Sequence, residues 1–329
     1  MKEAELGLVG KNSNKILENS PEQLCHRELS LSEIRDFVGF CEKNDCEDKY
    51  DAYRVFITDV PEQDKEKNVD TSFLDKIRTD NLNHFSSDRS FKQIRYFSNA
   101  KKTDDEISPL IYGRLYISPD IKNVPTITQK LIERYAENKK DLVCKISRVG
   151  ERNDRIVIYL MDDLRDGLTM IKEIQNESPE LFTNCGKNKL WCGIDGIKDV
   201  YFGGEPRYRG HSYGNDRARV IGEILALRKE KKLNIENDDE LDRIFKLECL
   251  KYRVDPFNFG FYINDNDGNV GSAANYVLDG YTNEWLKQGE FYLDYLKHEE
   301  VVNKWLADNA KNSPQKSWLG DNIPEFNPN

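Results

Sequence analysis

The chain has 329 residues, with 49 Lys and Arg against 59 Asp and Glu and a formal net charge of -10. An acidic balance of this size argues against sequence-independent nucleic-acid binding, which needs a broad basic surface. A hydrophobic fraction of 38% with 11% aromatics excludes a wholly disordered chain, and only 20 Gly and 11 Pro exclude collagen-like or low-complexity composition.

At roughly 150 residues per domain, the length points to about two domains or one large α+β unit. No stretch reaches the roughly 18 apolar residues that span a bilayer. The opening Met1-Lys2-Glu3-Ala4-Glu5 has no basic region followed by an apolar one, so neither a membrane span nor a Sec-type leader is expected. The seven cysteines (25, 41, 46, 144, 185, 192, 249) are odd in number and scattered, which favours reduced thiols and a cytoplasmic location.

Residues 1–24 are polar, with Asn-Ser clusters, and are expected to start the chain loosely docked. Ser30-Leu31-Ser32-Glu33 has the form of a capping box ahead of Ile34, Phe37, Val38 and Cys41, which lie on one helical face. Tyr53-Arg54-Val55-Phe56-Ile57 reads as a strand or a buried helical turn, and residues 60–70 as loop. Gly113–Ile117 closes an aromatic and branched run that predicts a strand, and a helix follows over 126–138. Leu142–Ser147 and Ile156–Leu160 predict two strands of a hairpin, and 163–178 returns to helical spacing. A Gly-rich passage over 186–216 reads as a long loop. Helices are predicted at 216–231 and at about 238–252, the second stopping before Asp255-Pro256. The last 50 residues are helical in pattern around Trp285, Tyr292 and Trp305, then polar. The expected architecture is α+β: a central, mostly antiparallel sheet flanked by helices, with a mainly helical N-terminal region at 1–105, an α+β domain at 106–310 and a polar tail at 311–329.

Most chemical motifs fail. Asn264-Asp265-Asn266-Asp267-Gly268 lacks both carboxylate anchors of a calcium loop when Gly268 takes the sixth position. The Cys and His spacings lack the short pairs of zinc modules, and no P-loop, dinucleotide fingerprint or nucleophile elbow occurs. Cations near the strands carry more information. Alternation puts Leu142, Cys144 and Ile146 on one face and Val143, Lys145 and Ser147 on the other. A lysine projecting from a sheet beside other cations is in the setting that turns it into a general base. Arg114, Arg148 and Arg155 lie on or beside the same strands, and Arg207, Arg209, His211, Arg217 and Arg219 lie in the Gly-rich passage and the helix after it. Together they would make a phosphate pocket. Singly, each is as readily surface charge or a structural ion pair. His211 suits a general acid or a hydrogen bond at the helix start, and Ser212 a cap or a phosphate contact.

The order of these segments resembles the HopA family of bacterial type III secreted effectors and its relatives in ribosomal-peptide biosynthesis. The resemblance is carried by Gly113-Arg114-Leu115-Tyr116-Ile117, Cys144-Lys145-Ile146, Asp154-Arg155, Gly204-Glu205-Pro206, Ser212-Tyr213-Gly214-Asn215-Asp216-Arg217 and Val254-Asp255-Pro256-Phe257, spanning roughly 110–265. It implies a phosphothreonine or phosphoserine lyase that acts on a precursor peptide after a partner kinase and leaves dehydrobutyrine or dehydroalanine. By that resemblance Lys145 removes the Cα proton, His211 serves as the acid, and Arg114, Arg155, Arg217 and Arg148 hold the phosphate, with no cofactor, metal, nucleic acid or membrane involved. The alternative it leaves open is an effector, secreted into a host cell, or a phosphopeptide-binding module without turnover.

Overall fold

A computed structural model describes residues 25–47, 49–77, 82–86, 90–98, 113–161, 164–183, 185–186, 188–204, 212–252, 254–260 and 262. The expectations for residues 1–24, Arg207, Arg209, His211, the 264–268 segment, the helical pattern around Trp285 and the polar tail lie outside these residues.

The described chain forms two compact units, one of residues 25–26 and 53–214, the other of residues 27–52 and 215–262. In the first, seven strands form one antiparallel sheet: β1 (Leu82–Ser86), β2 (Phe91–Tyr96), β3 (Gly113–Ile117), β4 (Leu142–Ser147), β5 (Ile156–Leu160), β6 (Cys192–Ile194) and β7 (Ile197–Gly204), in the order β1-β2-β4-β5-β3-β7-β6. The α+β expectation and the β4–β5 hairpin hold. Strands β1 and β2 lie within residues 1–105 beside the helices of that region, and they extend the sheet beyond β4. The Gly-rich passage needs correction. Strands β6 and β7 occupy much of the passage read as loop. Tyr201 and Phe202 are strand formers that outweigh the glycines after them, and position 203 needs a glycine because a Cβ there would come within 2.5 Å of the Tyr213 ring.

Strand alternation gives the sheet two unlike faces. Ile94, Cys144, Ile146, Ile156, Ile158, Leu115, Ile117 and Phe202 make one, each at most 1% exposed. Helix α4 (Val124–Glu137) packs on β4 and β2, burying Ile127, Leu131, Ile132 and Tyr135 as its spacing predicts. Helix α5 (Leu164–Glu177) brings Gly167 against Leu115 and Leu160, and each Leu or Ile so buried is worth roughly 1.5–3 kcal/mol. On the opposite face the register aligns Lys145, Val157, Tyr116 and Tyr201 in one row and Val143, Tyr159, Arg114 and Gly203 in the next.

Helix α1 (Leu31–Lys43), in the second unit, begins with the predicted capping box: Glu33 N donates to Ser30 Oγ at 3.3 Å and Ser30 N donates to Glu33 Oε2 at 3.0 Å. Ile34, Phe37, Val38 and Cys41 are buried, as their spacing requires. The segment over Tyr53–Ile57 resolves as helix, the end of α2 (Lys49–Ile57). A short α3 (Glu62–Lys65) follows it, and α6 (Tyr213–Lys229) and α7 (Asp238–Lys251) complete the helices. No helix among the described residues is long and apolar enough to cross a membrane.

Candidate functional site

The polar face of the sheet opens into a cavity of about 290 Å³. Its cations are Arg114 of β3, Lys145 of β4 and Arg152 of the β4–β5 connection, with Asp154 as the carboxylate in its wall. Tyr53, Phe91, Tyr116, Tyr159 and Trp191 supply aromatic lining, and Ser212 and Gly214 bring the start of α6 to it. Tyr116 and Trp191 stack with centroids 4.8 Å apart and planes at 17°, and with Val157, Tyr201 and Tyr213 they form a buried cluster beneath the site.

Cations and rings alternate across this surface. The Arg114 guanidinium carbon lies 4.9 Å from the Tyr159 centroid, Lys145 Nζ lies 5.6 Å from Tyr159 and 6.0 Å from Phe91, and the Arg152 carbon lies 4.6 Å from Phe91. A ring face attracts a cation without neutralising it, by about 0.5–2 kcal/mol depending on exposure. Among the described residues the Lys145 amine makes no ion pair or hydrogen bond and packs against two rings.

Arg152 is held differently. Its Nε and Nη2 donate to the two Asp154 oxygens, each at 2.8 Å, in a bidentate fork. Burial works against its charge, but Asp154 and the Tyr53 oxygen more than offset this. The Tyr53 phenol is pushed above its ordinary pKa by burial and by Asp154, against the smaller pull of Arg152 and Arg114. Buried amides fix the surroundings: Asn153 Nδ2 and Asn188 Nδ2 both donate to Phe56 O, at 2.7 and 3.1 Å.

Of the residues singled out in sequence, the structure brings Lys145, Arg114 and Ser212 to one cavity. Arg155 does not line it. Its side chain is 3% exposed, and its guanidinium pairs with Asp64 at 2.8 Å and donates to Pro119 O at 2.7 Å, so it ties the hairpin connection to the exit of β3. Arg148 is exposed and outside the lining; its backbone N donates to Ser90 O. Arg217 belongs to the other unit, where it is buried, donates to Phe259 O at 2.9 Å and lies 4.1 Å from the Tyr262 centroid. Sequence reasoning missed Tyr53, Phe91, Arg152, Asp154, Tyr159 and Trp191. Only the Arg152-x-Asp154 spacing in a strand connection offered a local signal.

No protein-family model and no curated protein matches the sequence. Among solved structures, an effector protein from Pseudomonas syringae pv. tomato strain DC3000 is similar with a TM-score of 0.52 and 12% identity, over 71% of this chain and 97% of that one. An effector protein from Pseudomonas syringae pv. syringae strain 61 aligns over the same shares with a TM-score of 0.48 and 13% identity. The chain therefore shares the α+β fold of the strain DC3000 effector.

Proposed function

We propose that the cavity accepts a phosphorylated Ser or Thr side chain of a peptide and eliminates its phosphate. The observation that carries this reading is Lys145, a lysine in a cation-rich cavity that packs on aromatic rings and pairs with no carboxylate among the described residues. In its neutral form the amine removes the Cα proton; the electron pair becomes the Cα–Cβ double bond and the Cβ–O bond breaks, releasing phosphate. Arg114 grips the phosphate oxygens, and Ser212 with the first N–H groups of α6 adds donors where a helix start favours an anion. A partner kinase supplies the phosphopeptide. The second reading is an effector that binds a phosphopeptide without turnover, and it draws its support from the fold shared with the strain DC3000 effector.

Mass spectrometry of a phosphothreonine and phosphoserine peptide panel tests both. Elimination removes the mass of phosphoric acid at each site and leaves an alkene, and Lys145→Ala lowers the rate by about 10²–10⁴-fold, the usual worth of a positioned base. Binding with the phosphate retained selects the second reading. Hydrolysis back to the hydroxyl overturns the first.

A further inference from the structure

Tyr53 stands on α2, one turn before the carbonyls of Phe56 and Ile57. Phe56 O accepts from Asn153 and Asn188, and Ile57 O accepts from the Asn153 backbone N–H at 2.8 Å, so this turn is anchored to the cavity wall. Gly214 closes the other side: a Cβ there would come within 2.9 Å of Tyr53 Cε2. The ring is thus clamped in the cavity wall, where the Arg152 guanidinium also lies. A guanidinium has donors and no acceptor, so toward Arg152 the phenol can only accept, and its own hydrogen remains to be given elsewhere. Among the described residues that hydrogen meets no acceptor. Arg152 cannot swing away, because Asp154 holds two of its nitrogens.

We propose that Tyr53 is the proton donor to the departing phosphate. The inference rests on the elimination reading above. As the Cβ–O bond breaks, the bridging oxygen leaves with the electron pair of that bond and takes the phenol proton, while the Cα proton stays on Lys145. The tyrosinate that results lies against the Arg152 cation, and exchange of one proton out of Lys145 and one into Tyr53 through solvent resets the site. The charged groups facing the phenol are Asp154, Arg152 and Arg114, and their balance with burial keeps it protonated at neutral pH.

The test compares wild type, Tyr53→Phe and His211→Ala on one phosphothreonine peptide across pH, with inhibition by inorganic phosphate as a measure of the intact cavity. Tyr53→Phe is expected to lower kcat by about 10²–10⁴-fold. Its phosphate inhibition stays as in wild type, and its residual rate lacks the fall that wild type shows on the alkaline side as the phenol ionises. A Tyr53→Phe enzyme that keeps the wild-type kcat, keeps the alkaline fall, or loses phosphate inhibition in step with kcat overturns the proposal. So does disappearance of the alkaline fall in His211→Ala alone. Absence of elimination by wild type overturns the underlying reading instead, which separates the two failures.

Discussion

Gly203→Ala places a methyl group where the structure has a ring. The added Cβ would lie 2.5 Å from Tyr213 Cγ and 2.6 and 2.7 Å from its two Cδ atoms, against ordinary contact at 3.4–4 Å, so the ring or the strand must move by nearly 1 Å. Neither can do so freely. Tyr213 is fully buried, its hydroxyl donates to Leu190 O at 2.9 Å, and its ring sits 5.9 Å from that of Tyr116. Gly203 is opposite Arg114 in the β3–β7 register, so a strand shift would move the cavity's own arginine. Overpacking of this kind costs about 1–3 kcal/mol, and loss of the buried hydroxyl bond adds roughly 1–3 kcal/mol. The expected destabilisation is about 3 kcal/mol, read as a lower urea midpoint with an unchanged slope and a fall in Tm on the order of 5–10 °C. Gly193→Ala is the matched control, since nothing lies within 4 Å of its Cβ position, and it should stay within about 0.5 kcal/mol of wild type. Equal stability of the two variants would refute the steric argument.

Arg155→Met removes one partner of a buried ion pair and leaves Asp64 facing the gap; the expected loss is about 3–5 kcal/mol by chemical denaturation, and Asp64→Asn in the same background should recover part of it. Burial alone would raise the Asp64 pKa, but the hydrogen bonds from Lys67 and Arg155 bring it below the ordinary 3.8. A carboxyl depressed in the folded state stabilises fully above its unfolded pKa. That contribution is therefore lost as pH falls from about 4 through the lower folded value, and an acid titration of Arg155→Met should show a smaller loss over this window than wild type does. Burial pushes the Cys144 thiol up to about 12, and burial with Asp199 nearby does the same for Cys185. Both should react with a thiol reagent at pH 8 far more slowly in the folded protein than in urea, and fast labelling of either would contradict the packing.

Local order was legible where local rules decide it. The Ser30–Glu33 box, the apolar faces of α1 and α4 and the side of the sheet that Lys145 occupies all follow from spacing within one element. What the arginines do was not legible, because it depends on partners far along the chain. Arg155 meets Asp64, 91 residues away, and Arg152 meets Phe91 across two strands, so two arginines three positions apart take unlike roles. Strand β7 was hidden for a related reason: its glycines mimic a loop, and their cause is a tyrosine in the helix that follows. Tyr53 looked like one member of a short, mostly apolar run, since its place in the cavity arises only where α2 meets the hairpin connection and residues 188–191.

The two faces of the sheet have a consequence for how such a protein can diverge. Positions 145, 157, 159, 114 and 116 line the cavity, while their immediate neighbours 144, 146, 156, 158, 115 and 117 point into the interior under the helices. Substitutions at the first set change the chemistry offered to a ligand without asking the interior to repack. The cavity side can therefore vary in sequence while the other side stays under strict volume constraint, and one architecture can be shared at 12% identity.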